Sequence, residues 1–262
     1  MILYYYYPGK MFPAISVTGA HCEVMCLHCR GRYLKSMIHA ETPEKLIDVC
    51  TNLDEKGVIG CLISGGCDLS GRVPLPLEAL HYIREETDLV LNLHTGLVNA
   101  HTVRKLREID PYISFEVPTP SVISQLYQLE VTQQDYVDSL TLLKGLKVTP
   151  HIMIGFNPQE ERETIKKVEK MGFSSLVVIV FTPTRGTPFC DHPDTEEVIK
   201  TCDVARTLFP RLILGCMRPR IKELEEKALL FDGIVLPTLW AKEQVQEAGI
   251  PVEIKNTCCV VE

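Results

Sequence analysis

Three cysteines within eight residues are the part of this chain best suited to chemistry. Cys22, Cys26 and Cys29 are spaced C-x3-C-x2-C and closely follow an apolar, strand-like run. Three thiolates can hold three irons of a [4Fe–4S] cube, and the fourth iron then stays free for a substrate or cofactor, as a catalytic cluster requires. The alternative is a zinc knuckle with His21 or His28 as fourth ligand, although zinc sites usually add a second, distant ligand pair.

Composition narrows the class of protein. The chain has 262 residues, 45% of them hydrophobic, a net charge of −7 and eleven cysteines. Its tyrosine-rich start lacks the order of a signal peptide, so we expect a cytoplasmic protein, and no run of about eighteen apolar residues predicts a membrane span. Dispersed Lys and Arg in an acidic chain disfavour nucleic acid as a partner. So many thiols indicate metal or redox chemistry in a reducing cell rather than disulfides. Outside the triplet these are Cys50, Cys61, Cys67, Cys190, Cys202, Cys216, Cys258 and Cys259.

Strand-like and helix-like segments alternate along the chain, which is typical of a parallel sheet with crossover helices. The predicted strands are 14–18, 60–64, 89–94, 113–117, 148–154, 176–181, 212–215 and 233–236. The predicted helices are 43–56, 75–86, 98–108, 133–144, 158–171, 194–208, 219–231 and 239–248. Eight of each is the number for a (β/α)8 barrel of the TIM type, which has about 250 residues. We predict an α/β barrel over 1–251, closed or nearly closed, with an open three-quarter barrel as the alternative.

The last residues, 252–262, are predicted to be a tail that carries Cys258 and Cys259 over the barrel mouth. In such barrels the chemistry lies at the carboxyl ends of the strands. The cysteine triplet follows the first predicted strand, and Ser64–Asp68 end the second. Later strand ends carry Asn92, His94, Glu116, Ile154, Gly155, Cys216 and Arg218.

Several segments together resemble the radical S-adenosylmethionine (SAM) superfamily. Besides the cysteine triplet, Gly65-Gly66 stands at the end of strand two, and 149–161 is similar to the superfamily's G-x-I-x-G-x-x-E segment. Residues 183–188 resemble the P-x-x-G-T-P loop of biotin synthase, and Arg218 falls where that enzyme has an inward arginine that ligates its second cluster. The full set, over residues 14 to about 236, is similar to the group of biotin synthase, lipoyl synthase, hydrogenase maturases and methylornithine synthase.

The resemblance implies a barrel of the radical SAM kind, a [4Fe–4S] cluster on the triplet, and SAM, whose cleavage releases a 5′-deoxyadenosyl radical that abstracts hydrogen from an unactivated carbon. Three residues depart from the pattern: Cys67 replaces a Glu, His28 replaces the aromatic residue that packs on adenine, and His151 stands where glycine is common. Helix capping by Asn92 and His94, or ion pairing by Glu116, is an equally simple interpretation of those three. The residues that the resemblance places at SAM are His28, Ser64, Gly65, Gly66, Asn92, His94, Glu116, Ile154 and Gly155.

The surplus thiols indicate the substrate. Cys67, Cys216 and Cys258 or Cys259 would hold a second iron–sulfur cluster, with Arg218 as a further ligand, and such a cluster is the sulfur donor in biotin and lipoyl synthases. The alternative for the Cys-Cys pair is a disordered or redox-sensitive tail. We predict sulfur insertion into a protein-bound octanoyl chain, as in lipoyl synthases made of two proteins, with Cys67, Cys216 and Arg218 in catalytic roles.

The predicted partners are SAM, an octanoylated carrier protein or peptide, a low-potential electron donor and a second radical SAM subunit. Two other functions stay open. One is a maturase- or mutase-like enzyme that acts on an amino acid without sulfur insertion. The other is a non-catalytic iron–sulfur or zinc protein that scaffolds a partner.

Overall fold

Eleven strands form one continuous parallel sheet in the computed structural model of the chain, which describes residues 2–189 and 191–261, so that Cys190 lies outside the described residues. The strands are β1 (Leu3–Tyr6), β2 (Ala14–Ser16), β3 (Ile38–His39), β4 (Gly60–Ser64), β5 (Val90–Leu93), β6 (Tyr112–Glu116), β7 (Lys147–Ile154), β8 (Ser175–Val180), β9 (Arg211–Leu214), β10 (Gly233–Val235) and β11 (Val252–Lys255). The helices are α1 (Pro43–Glu55), α2 (Leu77–Glu86), α3 (Ala100–Ile109), α4 (Gln133–Leu142), α5 (Pro158–Lys170), α6 (Thr195–Leu208), α7 (Lys222–Glu225) and α8 (Leu239–Glu247).

The order of the strands confirms the predicted barrel in its nearly closed form. All eight predicted strands are present, with ends within two residues of the prediction, as β2 and β4 to β10. The sheet runs β11-β1-β10-β9-β8-β7-β6-β5-β4-β2-β3, so its ladder is linear and has β11 and β3 as its two ends. The seam of the barrel therefore lies between these short strands.

Three strands were missed by the sequence analysis. β1 is a tyrosine run without polar alternation, and it pairs with β10 on one side and β11 on the other. β11 is mostly exposed, and β3 has two residues, so neither has an apolar pattern long enough to identify it. The seventh predicted helix, 219–231, is also shorter than expected: α7 has four residues, followed by a 3₁₀ turn at Ala228–Leu230.

Each strand alternates between two environments, because successive side chains point to opposite faces of a sheet. Outward side chains such as Ile63, Leu93 and Ile152 are fully buried in one large core beneath the helices. Inward side chains line the interior of the barrel. The helices that cover the outer face begin at ordinary caps, for example Thr42 before α1 and Asn157 before α5, each followed by a proline. This scaffold fixes the strand ends, where the candidate site lies.

The C-terminal segment joins the sheet and then enters the barrel. After β11, Cys259, Val260 and Val261 are buried in the interior cluster that also contains Tyr6. Arg211, the first residue of β9, donates hydrogen bonds to the Tyr6 hydroxyl (3.0 Å) and to the Cys259 carbonyl (3.3 Å). The tail predicted to cover the mouth thus supplies an edge strand and then fills interior space near the amino ends of the strands.

Among the described residues, no helix combines the length and the apolar character needed to cross a membrane.

Candidate functional site

The cysteine triplet lies in a tightly bent loop between β2 and β3. Met25 and Arg30 adopt φ angles of 43° and 48°, values that residues other than glycine rarely adopt. The sulfurs of Cys26 and Cys29 are 3.7 Å apart, and all three thiols are free and partly accessible. The hydrogen bond from Cys29 lowers the pKa of Cys26 to about 6, while that bond and burial raise the pKa of Cys29. An accessible thiol with a lowered pKa, as Cys26 has, suits metal ligation.

The geometry of the thiols does not separate a zinc site from an iron–sulfur site. In residues 2–189 and 191–261, no three His, Cys, Asp or Glu side chains, the cysteine triplet included, are grouped so that they could hold one metal ion. The spacing of the triplet is what favours a [4Fe–4S] cube, in which each thiolate binds a different iron.

The Gly-Gly turn after β4 packs directly on the cysteine loop. The Gly66 amide donates a hydrogen bond to the Thr18 hydroxyl (2.7 Å), which in turn donates to the His21 carbonyl (2.7 Å). A Cβ atom on Gly66 would lie 2.3 Å from that carbonyl oxygen and 2.4 Å from the Cys22 Cα. At Gly65 the closest atoms would be 3.1 Å away. Gly66 is therefore needed to seat the cysteine loop, and the contact of this turn with SAM stays a prediction.

His28 lies in an aromatic slot beside the triplet. Its ring centroid is 5.7 Å from that of Phe181 and 6.0 Å from that of Tyr33, and Phe181 continues to Phe156 at 5.6 Å. Burial lowers the pKa of His28, so its ring is neutral. Its Nε2 atom is buried and has no hydrogen-bond partner. These ring pairs are tilted by 36° to 55°, and the packing of His28 on the adenine of SAM, which the resemblance implies, stays a prediction.

Two residues of the predicted SAM set face away from the interior. The side chain of Ile154 is fully buried in the outer core. Gly155 has a φ of 90°, and a Cβ there would lie 2.8 Å from Pro193. Any contact of this segment with SAM would therefore involve its backbone.

The remaining predicted SAM residues form a polar wall along β4 to β7. The Ser64 hydroxyl lies 3.4 Å from Nδ1 of His94, and the His94 and His151 rings meet edge to face at 6.4 Å. Glu116 accepts a hydrogen bond of 2.5 Å from Tyr127. The side chains of His94, Glu116, Tyr127 and His151 lie deep in the molecule but keep some solvent-accessible surface, whereas Ser64 is buried. The four side chains therefore line an interior cleft.

Asn92 is a fully buried member of this wall. Its amide donates to the Ser114 hydroxyl (3.1 Å) and to the Cys258 sulfur (3.2 Å). Asn99, not Asn92 or His94, caps α3, so the capping interpretation was wrong. Likewise, the hydrogen-bond partner of Glu116 is a tyrosine rather than Lys or Arg.

The polar wall is nearly uncharged. Burial lowers the pKa of His94 to about 4, and burial with the neighbouring His94 lowers the pKa of His151 to about 3. Burial raises the pKa of Glu116 to about 7, against the opposing hydrogen bond from Tyr127. At neutral pH such groups suit hydroxyl or amine partners better than anions.

The surplus thiols fall into two places. Cys67 lies beside the triplet, where the charges of Cys22 and Cys26 affect it. Burial and, after it, the charge of Cys258 raise the pKa of Cys216. A hydrogen bond from Cys259 lowers the pKa of Cys258 to about 7. A second cluster on Cys67, Cys216 and Cys258 or Cys259 stays a prediction. Cys50, Cys61 and Cys202 are core residues, as small apolar cysteines usually are.

Arg218 is committed to the protein itself. Its side chain is fully buried, pairs with Glu225 at 2.7 Å, and donates to the carbonyls of Gly215 (2.5 Å) and Val235 (2.8 Å). These bonds fasten the ends of β9 and β10 together. A cluster-ligand role for Arg218 finds no support in this geometry, because its nitrogen groups are already engaged.

Sequence reasoning did not identify Tyr33, Ser114, Tyr127 or the interior position of His151. For His151 a signal existed: it lies on β7 with the same parity as Thr149 and Met153, opposite to the outward Ile152. For Tyr33 and Tyr127, no pattern in the neighbouring sequence predicts their contacts with His28 and Glu116.

The chain is similar in sequence to curated tRNA-modifying enzymes. It is 23% identical over 204 residues to the tRNA-2-methylthio-N(6)-dimethylallyladenosine synthase of Ehrlichia canis, covering 69% of this chain and 46% of that enzyme. It is 23% identical over 194 residues to the enzyme of that name from Moorella thermoacetica, covering 66% and 43%. The chain thus spans less than half the length of these relatives. No protein-family model matches it.

Solved structures share its fold over most of the chain. Methylornithine synthase (PylB) matches with a TM-score of 0.64 and 15% identity over 96% of this chain and 84% of its own. HydG, a maturase of the [FeFe]-hydrogenase, matches with 0.59 and 13% identity over 89% and 57%. SuiB of Streptococcus suis bound to S-adenosylmethionine matches with 0.54 and 10% identity over 99% and 52%. These comparisons support the radical SAM superfamily. Within it, they do not single out the lipoyl synthase group that the sequence motifs suggested.

Proposed function

We propose that this chain is a radical SAM enzyme that inserts sulfur at an unactivated carbon of a protein-bound octanoyl chain, as one subunit of a two-protein lipoyl synthase. The feature that supports the proposal is the set of thiols outside the triplet: Cys258, whose sulfur accepts a hydrogen bond from Asn92 in the interior, its neighbour Cys259, and Cys216, which follows β9. An enzyme that only cleaves SAM needs the triplet alone, whereas sulfur insertion also needs a sulfur source close to the radical.

The triplet and the polar wall suit the cofactors. Cys22, Cys26 and Cys29 would hold a [4Fe–4S] cluster, which with SAM supplies a 5′-deoxyadenosyl radical for hydrogen abstraction. The His28 slot would stack on the adenine and offer its unpaired Nε2. Glu116, whose pKa burial raises to about 7, would accept hydrogen bonds from ribose hydroxyls.

The opposite wall suits an aliphatic substrate. Beyond Arg211 at the start of β9, inward residues of β8 to β10 such as Ile179 and Val235 are apolar, and Met217 packs on them. Beyond β10, Leu236, Leu239 and Trp240 are exposed to 44%, 73% and 38% at the carboxyl end of the strand. Large apolar side chains left exposed at a barrel mouth are typical of a site that receives an apolar group. An octanoyl chain would cross this lip and reach the second thiol group.

This second group is the proposed site of the sulfur donor. Cys216 with Cys258 or Cys259 would ligate a second iron–sulfur cluster, and the Asn92–Ser114 pair would hold Cys258 in place.

A second candidate rests on the curated relatives. Their name describes a 2-methylthio group on adenosine in tRNA, which is also a sulfur-bearing product. The matched region contains less than half of those enzymes, and a net charge of −7 is unfavourable for binding RNA phosphates. We therefore rank this substrate second.

The test is an anaerobic product assay. The reconstituted protein is incubated with SAM, a reductant and either an octanoyl-lysine peptide, a dimethylallyladenosine-containing tRNA stem-loop, or no substrate, and 5′-deoxyadenosine and thiolated products are measured. We expect the peptide to stimulate release and to gain sulfur, and the Cys216→Ala variant to release 5′-deoxyadenosine without a thiolated product. Sulfur in the tRNA alone would favour the second candidate. If neither the peptide nor the tRNA stem-loop changes the release of 5′-deoxyadenosine, sulfur insertion is contradicted and an amino-acid substrate is favoured.

A further inference from the structure

A π-helix, Val122–Tyr127, lies between β6 and α4. Helices of this kind are rare, and they occur frequently at functional sites. This one ends in a wide turn, in which the amide of Gln128 donates a hydrogen bond to the carbonyl of Ile123 (2.8 Å). Val122 and Leu126 are fully buried in the apolar cluster of the barrel interior. The π-helix is therefore packed against the interior near the carboxyl end of β6.

Both ends of the π-helix are bound to neighbouring parts of the barrel mouth. At its start, the amide and the hydroxyl of Ser121 donate to the two carboxylate oxygens of Glu160 (2.7 Å each), and Asn157 donates to the same hydroxyl (3.0 Å). At its end, the carbonyl of Leu126 accepts a hydrogen bond from the Leu27 amide of the cysteine loop (2.7 Å). The π-helix thus connects the segment that follows β7 to the loop that carries the triplet.

Tyr127, the last residue of the π-helix, reaches the polar wall. Its hydroxyl donates a hydrogen bond of 2.5 Å to Oε1 of Glu116. Within residues 2–189 and 191–261, Oε2 of Glu116 has no hydrogen-bond partner, and it stays accessible from the interior cleft. The tyrosine therefore holds one carboxyl oxygen and leaves the other for a ligand. Because Leu126 binds the cysteine loop and the next residue binds Glu116, two adjacent residues set the position of the carboxyl group relative to the loop.

We propose that Tyr127 is a positioning residue, which holds Glu116 so that its second carboxyl oxygen accepts a hydrogen bond from a ribose hydroxyl of SAM. This inference rests on the proposed function, in which Glu116 contacts the ribose. A free glutamate side chain loses rotamer freedom when a ligand fixes it, and a carboxyl group that the protein already holds avoids that loss. Without the Tyr127 hydroxyl, SAM would have to order the carboxyl group itself and would bind more weakly.

The experiment compares two ligands, SAM and an analogue that lacks the 2′ and 3′ hydroxyls of the ribose. Binding of each ligand to the anaerobically reconstituted protein is measured by equilibrium dialysis, which requires no turnover. The variants are Tyr127→Phe, which removes only the hydroxyl, Glu116→Ala, and the double variant. Tyr112→Phe is the matched control, because it removes a tyrosine hydroxyl at the other end of the strand that carries Glu116. Iron is counted in every protein to show that the cluster is retained.

We expect wild type and Tyr112→Phe to bind SAM about tenfold more tightly than the analogue, as one hydrogen bond to a carboxylate predicts. In Tyr127→Phe the ratio should fall to about threefold through weaker binding of SAM alone, as the cost of ordering one side chain predicts. In Glu116→Ala and in the double variant, the ratios should be equal and close to one, because Tyr127 acts through Glu116.

An unchanged ratio in Tyr127→Phe would overturn the positioning role, and so would an equal loss of affinity for both ligands, which indicates a structural role. A further loss in the double variant beyond that of Glu116→Ala would show that Tyr127 acts independently of Glu116, which also contradicts the inference. A wild type that binds both ligands equally would overturn the ribose contact but leave SAM binding intact. A wild type that holds iron and does not bind SAM would overturn the proposed function as well.

Discussion

The two walls of the barrel interior have the same backbone geometry and opposite chemistry. Along β4 to β7 the inward side chains include Asn92, His94 and Glu116, whereas along β8 to β10 they include Ile179 and Val235. Both sets occupy the inward positions of parallel strands, where period-two alternation places every second residue. The interior therefore offers hydrogen-bonding side chains mainly along β4 to β7 and apolar contacts mainly along β8 to β10.

The largest expected effect is at the top of the apolar wall, where Arg218 and Glu225 are buried together. Arg218→Met leaves the Glu225 carboxylate without its partner, and breaking a buried pair in this way costs about 3–5 kcal/mol. The measurement is urea unfolding of the metal-free protein. Because Arg218 is fastened to the protein, the double variant Arg218→Met/Glu225→Leu should recover much of the loss, and the iron content of whatever stays folded should not change. A selective loss of iron from a stable Arg218→Met protein would restore Arg218 as a ligand.

The second-largest effect is expected from substitution of Gly66, which changes the position of the cysteine loop. In Gly66→Ala the new methyl group meets backbone atoms of His21 and Cys22, so the loop must shift; overpacking of this kind costs about 1–3 kcal/mol. We expect reconstituted Gly66→Ala to retain little iron. Gly65→Ala is the matched control, since its nearest contacts are at 3.1 Å, and it should keep most of the iron. Equal iron in both variants would show that the turn does not position the loop.

The polar wall gives a smaller, pH-dependent effect through Glu116. Its folded-state pKa of about 7 lies above the ordinary value, so the folded protein binds an extra proton between about pH 4.5 and 7 and loses stability as the pH rises through that window. A tenfold change in proton affinity between the folded and unfolded states corresponds to about 1.4 kcal/mol of unfolding free energy. Glu116→Gln should therefore flatten the fall in unfolding free energy toward pH 8.

His94 acts in the opposite direction and serves as the control for this measurement. Its pKa is lowered to about 4, so stability is lost as the pH falls below about 6.5, where the unfolded histidine takes up a proton. Unfolding of wild type, Glu116→Gln and His94→Asn between pH 5 and 8 separates the two slopes. An unchanged slope in Glu116→Gln would mean that the carboxyl titrates as if it were in water.

The smallest effect concerns the exposed lip of the apolar wall. Leu239 is 73% exposed, so Leu239→Ser should change the unfolding free energy by less than about 0.5 kcal/mol. It should still raise the KM for an octanoyl-lysine peptide, because an apolar contact with the substrate is lost. Lys242→Ser, on the same helix, is the comparison. Identical KM values in the two variants would argue against an acyl path over this lip.

Apolar periodicity was sufficient to predict the eight barrel strands, whereas the cluster on Cys22, Cys26 and Cys29 stays a prediction. The sequence did not show which residues far apart in the chain lie together in the fold. The pairing of Asn92 with Cys258 joins residues 166 positions apart, which no local pattern encodes. The pairing of Arg218 with Glu225 could not be predicted either, because the sequence does not show that both side chains are buried.

Iron counted variant by variant is the most direct test of the central claim, that one interior holds two separate thiol sites. The wild-type protein, Cys22→Ala and Cys216→Ala would be reconstituted anaerobically and analysed for iron and sulfide. The account predicts about eight irons in the wild type and about four in each variant, as expected for two independent [4Fe–4S] clusters. About four irons in the wild type, all lost in Cys22→Ala and none lost in Cys216→Ala, would contradict the second site and with it the proposed source of sulfur.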